Sequence, residues 1–143
     1  MSGASVAIPT PAEVDAFVAE VYPSAYAGGF RCEEMAPGRA LARWRHDQAT
    51  LRPGGLISGP TQFMVADLVL WHLSFTVLGL APMAVTSDLH ITFLRPAKGG
   101  DLLARATLLR AGRTRLTGDV TIWVDGAPEK PVAHAVGSYA RLG

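Results

Sequence analysis

Gln62-Phe63-Met64-Val65-Ala66-Asp67-Leu68-Val69-Leu70-Trp71-His72-Leu73-Ser74-Phe75-Thr76-Val77-Leu78 is apolar on nearly every helical face. A helix that is apolar all round sits either in a membrane or inside a protein core. Phe63 to Ala81 is about as long as a membrane span, but it carries Asp67, His72 and Ser74 and has no flanking Lys/Arg anchors. The stretch therefore predicts a long central helix with the rest of the chain wrapped around it. Its start is also legible in the Gly/Pro-rich loop Leu51-Arg52-Pro53-Gly54-Gly55-Leu56-Ile57-Ser58-Gly59-Pro60. Ser58 suits a cap, and Pro60 suits a first turn whose N–H groups are unpaired anyway.

Beyond Pro82 the period changes from helical to alternating. Val85 to Leu94 reads as a long strand, with Leu89, Ile91 and Phe93 on one face and Asp88, His90 and Thr92 on the other. Pro96-Ala97-Lys98-Gly99-Gly100 is a turn. Leu102–Arg110, Arg113–Asp125 and Val132–Tyr139 follow as strands, broken at Ala111-Gly112 and Gly126-Ala127-Pro128. Upstream of the helix, Phe30–Met35 and Ala40–His46 form a hairpin across Pro37-Gly38. Before that, Thr10-Pro11-Ala12-Glu13 opens an amphipathic helix with Val14, Phe17, Val18 and Val21, which Pro23 ends. A polar connection through Gly28-Gly29 completes the segment 1–28. The plan is α+β, with one antiparallel sheet curling around one apolar helix.

The 143 residues suit one domain, 1–143. Thirteen Lys+Arg against twelve Asp+Glu leave a formal charge of +1, without the basic excess of a nucleic-acid module. Only 17% of residues are charged, so apolar surface is left over for a partner chain. The single Cys32 excludes a disulfide framework and a Cys-based zinc finger, and it suits a reducing cytoplasm. Met1 to Glu20 lacks the cationic start and apolar run of a secretory signal.

Asp67 is the informative residue. Met64, Val65, Ala66, Leu68, Val69, Leu70 and Trp71 surround it in sequence, where an unpaired carboxylate is costly. Desolvation would raise its pKa towards the range useful for a general base. A structural Asp held by a backbone N–H or an Arg is the alternative; the apolar setting favours function. The helix start at Ser58-Gly59-Pro60 offers free N–H groups to an oxygen gaining charge. Asp67 lies nine residues after Ser58, about 13.5 Å along the axis and about 180° around it. One chain cannot easily aim both at one carbonyl, whereas two antiparallel copies of the helix can. The geometry predicts a site shared across a homodimer.

Other constellations are weaker. No Gly-x-Ser-x-Gly elbow, phosphate loop or Gly-x-Gly-x-x-Gly fingerprint occurs. His72 stands five positions from Asp67, on another helical face, and the four histidines lack zinc-ligand spacing. Arg110, Arg113 and Arg115 cluster about a turn, either solvated or facing a phosphorylated cofactor tail. Trp44, Trp71 and Trp123 read as packing.

From about Ala40 to Tyr139 the sequence resembles the hotdog-fold acyl-CoA thioesterases, specifically the PaaI-type branch. The resemblance is carried by Gly54-Gly55-Leu56-Ile57-Ser58-Gly59, Ala66-Asp67, Val85 through Arg95-Pro96-Ala97, Gly112-Arg113 and His134-Ala135. It implies a six-stranded antiparallel sheet around the long helix, an acyl-CoA substrate, no separate cofactor or metal, and a homodimer or homotetramer without nucleic acid or membrane. It implies that Asp67 acts on the thioester by activating water or attacking directly, that the Gly59 N–H polarises the carbonyl, and that Thr86 positions water. Ser58, Arg52, Gly55 and Arg113 are the further expected substrate contacts. The family usually has His-Gly-Gly at the helix start and an Asn six residues before that His. Here Ser58-Gly59-Pro60 and Arg52 stand instead. Gly59 keeps its N–H and Pro60 has none, and Arg52 is left to polarise the carbonyl, bind a carboxylated acyl chain or form a salt bridge. The rival readings are a non-catalytic acyl-CoA-binding module and an enoyl-CoA hydratase, which would pair its Asp with a nearby His.

Overall fold

The computed structural model describes residues 6–142, so the ends of the expected 1–143 domain lie outside the described residues. Helix α1 (Pro11–Val21) starts as its sequence dictates. Thr10 Oγ1 accepts from the Glu13 N–H, the Glu13 carboxylate accepts from the Thr10 N–H, and Pro11 fills the first turn. Val14 and Val18 are buried, and the Phe17 ring meets Trp71 and Phe75 of the long helix. Pro23 ends α1 as expected, but the residues after it are not a plain connection. They form a short helix, α2 (Pro23–Ala27), because a proline that cannot continue one helix is well suited to open the next.

Strands β1 (Phe30–Ala36) and β2 (Arg39–Trp44) form the hairpin, turning at Gly38, whose φ of +67° is a glycine conformation. Helix α3 (Gly59–Leu78) follows, capped by Ser58 and closed at Gly79. Strands β3 (Ala84–Phe93), β4 (Leu102–Ala111), β5 (Arg115–Val124) and β6 (Ala133–Arg141) complete one sheet in the order β1-β2-β4-β5-β6-β3, with every neighbouring pair antiparallel. β5 begins two residues later than expected, since the Gly112 N–H donates to the Arg115 carbonyl and makes 112–114 a turn.

α3 lies across the sheet, and its central residues from Val65 to Phe75, apart from Asp67, are buried. Among the described residues it is the one helix long and apolar enough to cross a membrane, yet most of it is enclosed by this chain. It comes closest to the sheet over Gly118 and Gly137, which face each other on β5 and β6. A Cβ on Gly118 would fall 2.5 Å from Leu73 Cδ2 and 2.9 Å from the Thr107 carbonyl; one on Gly137 would fall 2.9 Å from Leu70 Cδ1 and from the Asp88 carbonyl. The missing side chains let helix and sheet touch.

The two edges differ. β1 carries the exposed Glu33 and Glu34 and a bulge between Cys32 and Glu34. Behind it Arg43 bonds Asp101 at 3.0 Å, Asp125 at 2.8 Å and Glu33 at 3.4 Å. β3 is exposed along most of its length, with Val85 39% and Phe93 50% accessible.

Candidate active site

β3 does not alternate evenly. Its register against β6 shifts between Thr86 and Asp88, so Ser87 is an extra residue in the ladder. Leu89 opposes Gly137 on the helix-facing side, as alternation predicts, and the bulge resets the parity so that Thr86 joins that side, opposite Tyr139. Both side chains meet Asp67 of α3. Thr86 Oγ1 donates to Asp67 Oδ1 at 2.6 Å; the Tyr139 hydroxyl lies 2.8 Å from the same oxygen and 2.9 Å from the Asp67 carbonyl. Among the described residues no hydrogen bond reaches Oδ2. Asp67 lines a cleft of about 250 Å³ with Tyr22, Leu68, Trp71, Val85, Thr86 and Tyr139.

Asp67 is half-buried, not sealed in apolar surroundings as its sequence neighbours suggest. Met64 and Phe63 turn outward, and the carboxylate is held by hydroxyls rather than by an Arg or a backbone N–H. Tyr139 escaped the sequence reading. Its partner is 72 positions away, and a tyrosine closing a strand carries no local signal of a catalytic neighbour. Burial, followed by the negative charge of Asp67, pushes the Tyr139 phenol well above its ordinary range.

The start of α3 is built differently. Ser58 Oγ accepts from the Thr61 N–H at 3.2 Å and donates to Thr61 Oγ1 at 3.0 Å, so its proton goes to the cap rather than to a substrate. The Gly59 N–H has no partner among the described residues. A side chain on Gly59 would press on the Phe93 ring, with its Cβ 3.2 Å from Cζ. Gly59 and Arg52 line a separate cavity of about 570 Å³ with Gln62, Phe93 and Arg95. This cavity shares no lining residue with the Asp67 cleft. Eight residues of helix, about 12 Å of rise, separate Gly59 from Asp67.

A model of the thioesterase superfamily matches residues 54–129, more than half of the chain and both of these ends. The chain belongs to the thioesterase superfamily. A structure described as that of a putative thioesterase from Silicibacter sp. TM1040 is 32% identical, with a TM-score of 0.86 over 97% of this chain and 96% of that one. The E. coli PaaI protein from the phenylacetic acid degradation operon is 24% identical, with a TM-score of 0.78 over 96% and 97% of the two chains. A zebra fish thioesterase superfamily member 2 shares the fold at 20% identity and a TM-score of 0.80, covering 94% of this chain and 99% of that one. No curated protein matches. The architecture is the hotdog fold expected from the sequence, and the superfamily's reaction class is hydrolysis of an acyl thioester.

Within this thioesterase fold the remaining expected contacts scatter. Gly55 lies at the exposed end of a tight turn, φ +74°, with its N–H donating to the Arg52 carbonyl, and it lines neither cavity. Arg113 sits on the β4–β5 turn beside Arg115 and Arg141, in a small hollow reached from the other side of Tyr139. His72 stacks between Phe30 and Phe75, and burial pushes its imidazole down to about 3. No cluster of three or more His, Cys, Asp or Glu able to hold a metal occurs among the described residues.

Proposed function

We propose that this thioesterase hydrolyses an acyl-CoA to the free acid and CoA at sites formed between two copies of the chain. Asp67 of one copy activates water or attacks the thioester carbon, and the Gly59 N–H of the other copy polarises the carbonyl oxygen. Thr86 gives its proton to Oδ1, so it meets a water only as an acceptor, and a water held there also donates to Asp67. The observation that carries this reading is the placing of the carboxylate and the unpaired amide in separate clefts at opposite ends of the exposed half of α3. Apolar surface supports the second copy. Phe63, Met64 and Phe93 are exposed, and Phe63, Ile91 and Phe93 line an open hollow at Gly59. The buried lone Cys32 and the near-neutral charge fit a cytoplasmic protein.

Incubation with a panel of acyl-CoAs, following free thiol and enoyl absorbance, tests the proposal. Thiol release that falls about 10³-fold in Asp67→Asn, with the fold retained, supports it. Unchanged turnover in that variant overturns it. The spent Ser58 hydroxyl and the missing Pro60 N–H favour one rival, a module that binds CoA esters without cleaving them. Saturable binding with no thiol release would select that rival.

A further inference from the structure

Asp67 is held by more than one contact, and the pattern of those contacts is lopsided. Thr86 and Tyr139 both address Oδ1, from cross-strand partner positions on β3 and β6, while Oδ2 accepts no hydrogen bond among the described residues and Asp67 lines the cleft. We propose that Tyr139 is a positioning residue which, together with Thr86, occupies Oδ1 and so assigns the chemistry of Asp67 to Oδ2. The inference rests on the reading of Asp67 as the group that acts on the thioester.

The geometry supports this role in three ways. A carboxylate has about four acceptor sites, and two donors at 2.6 and 2.8 Å fill those of one oxygen. The Tyr139 hydroxyl also lies 2.9 Å from the Asp67 backbone carbonyl, so its single proton is shared between the side chain and the backbone of the same residue. This limits rotation of the carboxylate about its last bond, which would otherwise exchange the two oxygens. Finally, the phenol is buried beside a negative charge, which holds its proton in place and keeps it a donor at neutral pH. Asp67, Tyr22 and Tyr139 are the titratable groups lining the cleft, and Arg113, Arg115 and Arg141 stand behind Tyr139 in the adjoining hollow.

The test uses the full chain and an acyl-CoA that the wild type cleaves. Tyr139→Phe removes one hydroxyl and keeps the buried ring. The expected result is a fall in kcat of about 10- to 100-fold with KM changed less than about 3-fold, since the lost contact orders the reacting group and not the substrate. Thr86→Val acts in the same direction and Thr86→Ser restores activity. The double variant loses less than the product of the two single losses, because both donors serve one oxygen.

A Tyr139→Phe enzyme that loses only thermal stability, with kcat unchanged, overturns the inference. Should that variant not fold, the Thr86→Val and Thr86→Ser pair decides: equal kcat in both overturns it, and loss with rescue supports it. Asp67→Asn run in parallel separates the two layers. Full activity there removes the reading of the site itself, whereas an inactive Asp67→Asn beside a fully active Tyr139→Phe removes only the role of Tyr139.

Discussion

The two ends of α3's exposed half differ in how complete they are. At Asp67 the protomer supplies the carboxylate, two hydroxyls to hold it and the strand pair that aims them. At Gly59 it supplies one unpaired amide, a proline where a second donor would stand, and a wall of apolar rings open to solvent. One end is finished by the chain's own sheet, and the other is left open, to be completed only by the second copy that we propose. Under the proposed dimer, a helix whose first turn meets a partner is left unenclosed there, whereas a carboxylate whose orientation matters is fixed by β-structure.

The sharpest way to break this contrast is to separate the two ends genetically. Asp67→Asn and a Gly59→Val variant, in which Phe93 blocks the added side chain, should each be close to inactive. Co-expressed and co-purified, they should recover about a quarter of wild-type turnover, because half of the dimers then hold one intact site. Two inactive variants that stay inactive together would place both ends in one copy.

Next in size comes the support beneath the finished end. Gly137→Ala should lower unfolding stability by about 2 kcal/mol, read as a lower denaturant midpoint at unchanged slope, because Leu70 and the Asp88 carbonyl leave no room for a methyl. Thiol release should fall in the same variant as the helix shifts over Thr86 and Tyr139.

The last expected effect appears only in acid and is absent at neutral pH. His72 is neutral in the folded chain down to about 3, whereas in the unfolded chain it takes a proton near its ordinary 6.5. Its folded value is depressed, so its contribution is complete above about pH 6.5 and is lost as pH falls towards 3. Stability should decline over that window by up to about 1.4 kcal/mol per pH unit. His72→Leu should flatten the slope by that amount; an unchanged slope would show that the enclosed stretch of α3 around His72 opens to water.

Much of this was readable in the chain. The all-round apolar run gave the enclosed helix, Ser58 and Thr10 gave caps, and alternation gave the strands from β3 onward. What local patterning could not show was phase. Ser87 is one ordinary residue, yet as a bulge it decides which face Thr86 joins, and no sequence period reveals that. Tyr139 was hidden for a related reason, since its role depends on a register with β3 and on a helix 72 positions earlier. The surroundings of Asp67 were misread because sequence neighbours on a helix point all ways, and Phe63 and Met64 point outward. Pro23 was read only as a stop because its value as a start depends on whether the next few residues close a helical turn.

The unequal rims of the sheet also bear on how large an assembly can grow. The β1 rim is charged, bulged and clamped by Arg43, features that discourage strand addition. Only the β3 rim offers apolar backbone-edge surface, so two molecules that join there through a two-fold axis each use up their one available margin. In such a pair lateral growth would end after a single step, with no free apolar margin left among the described strands to seed a filament.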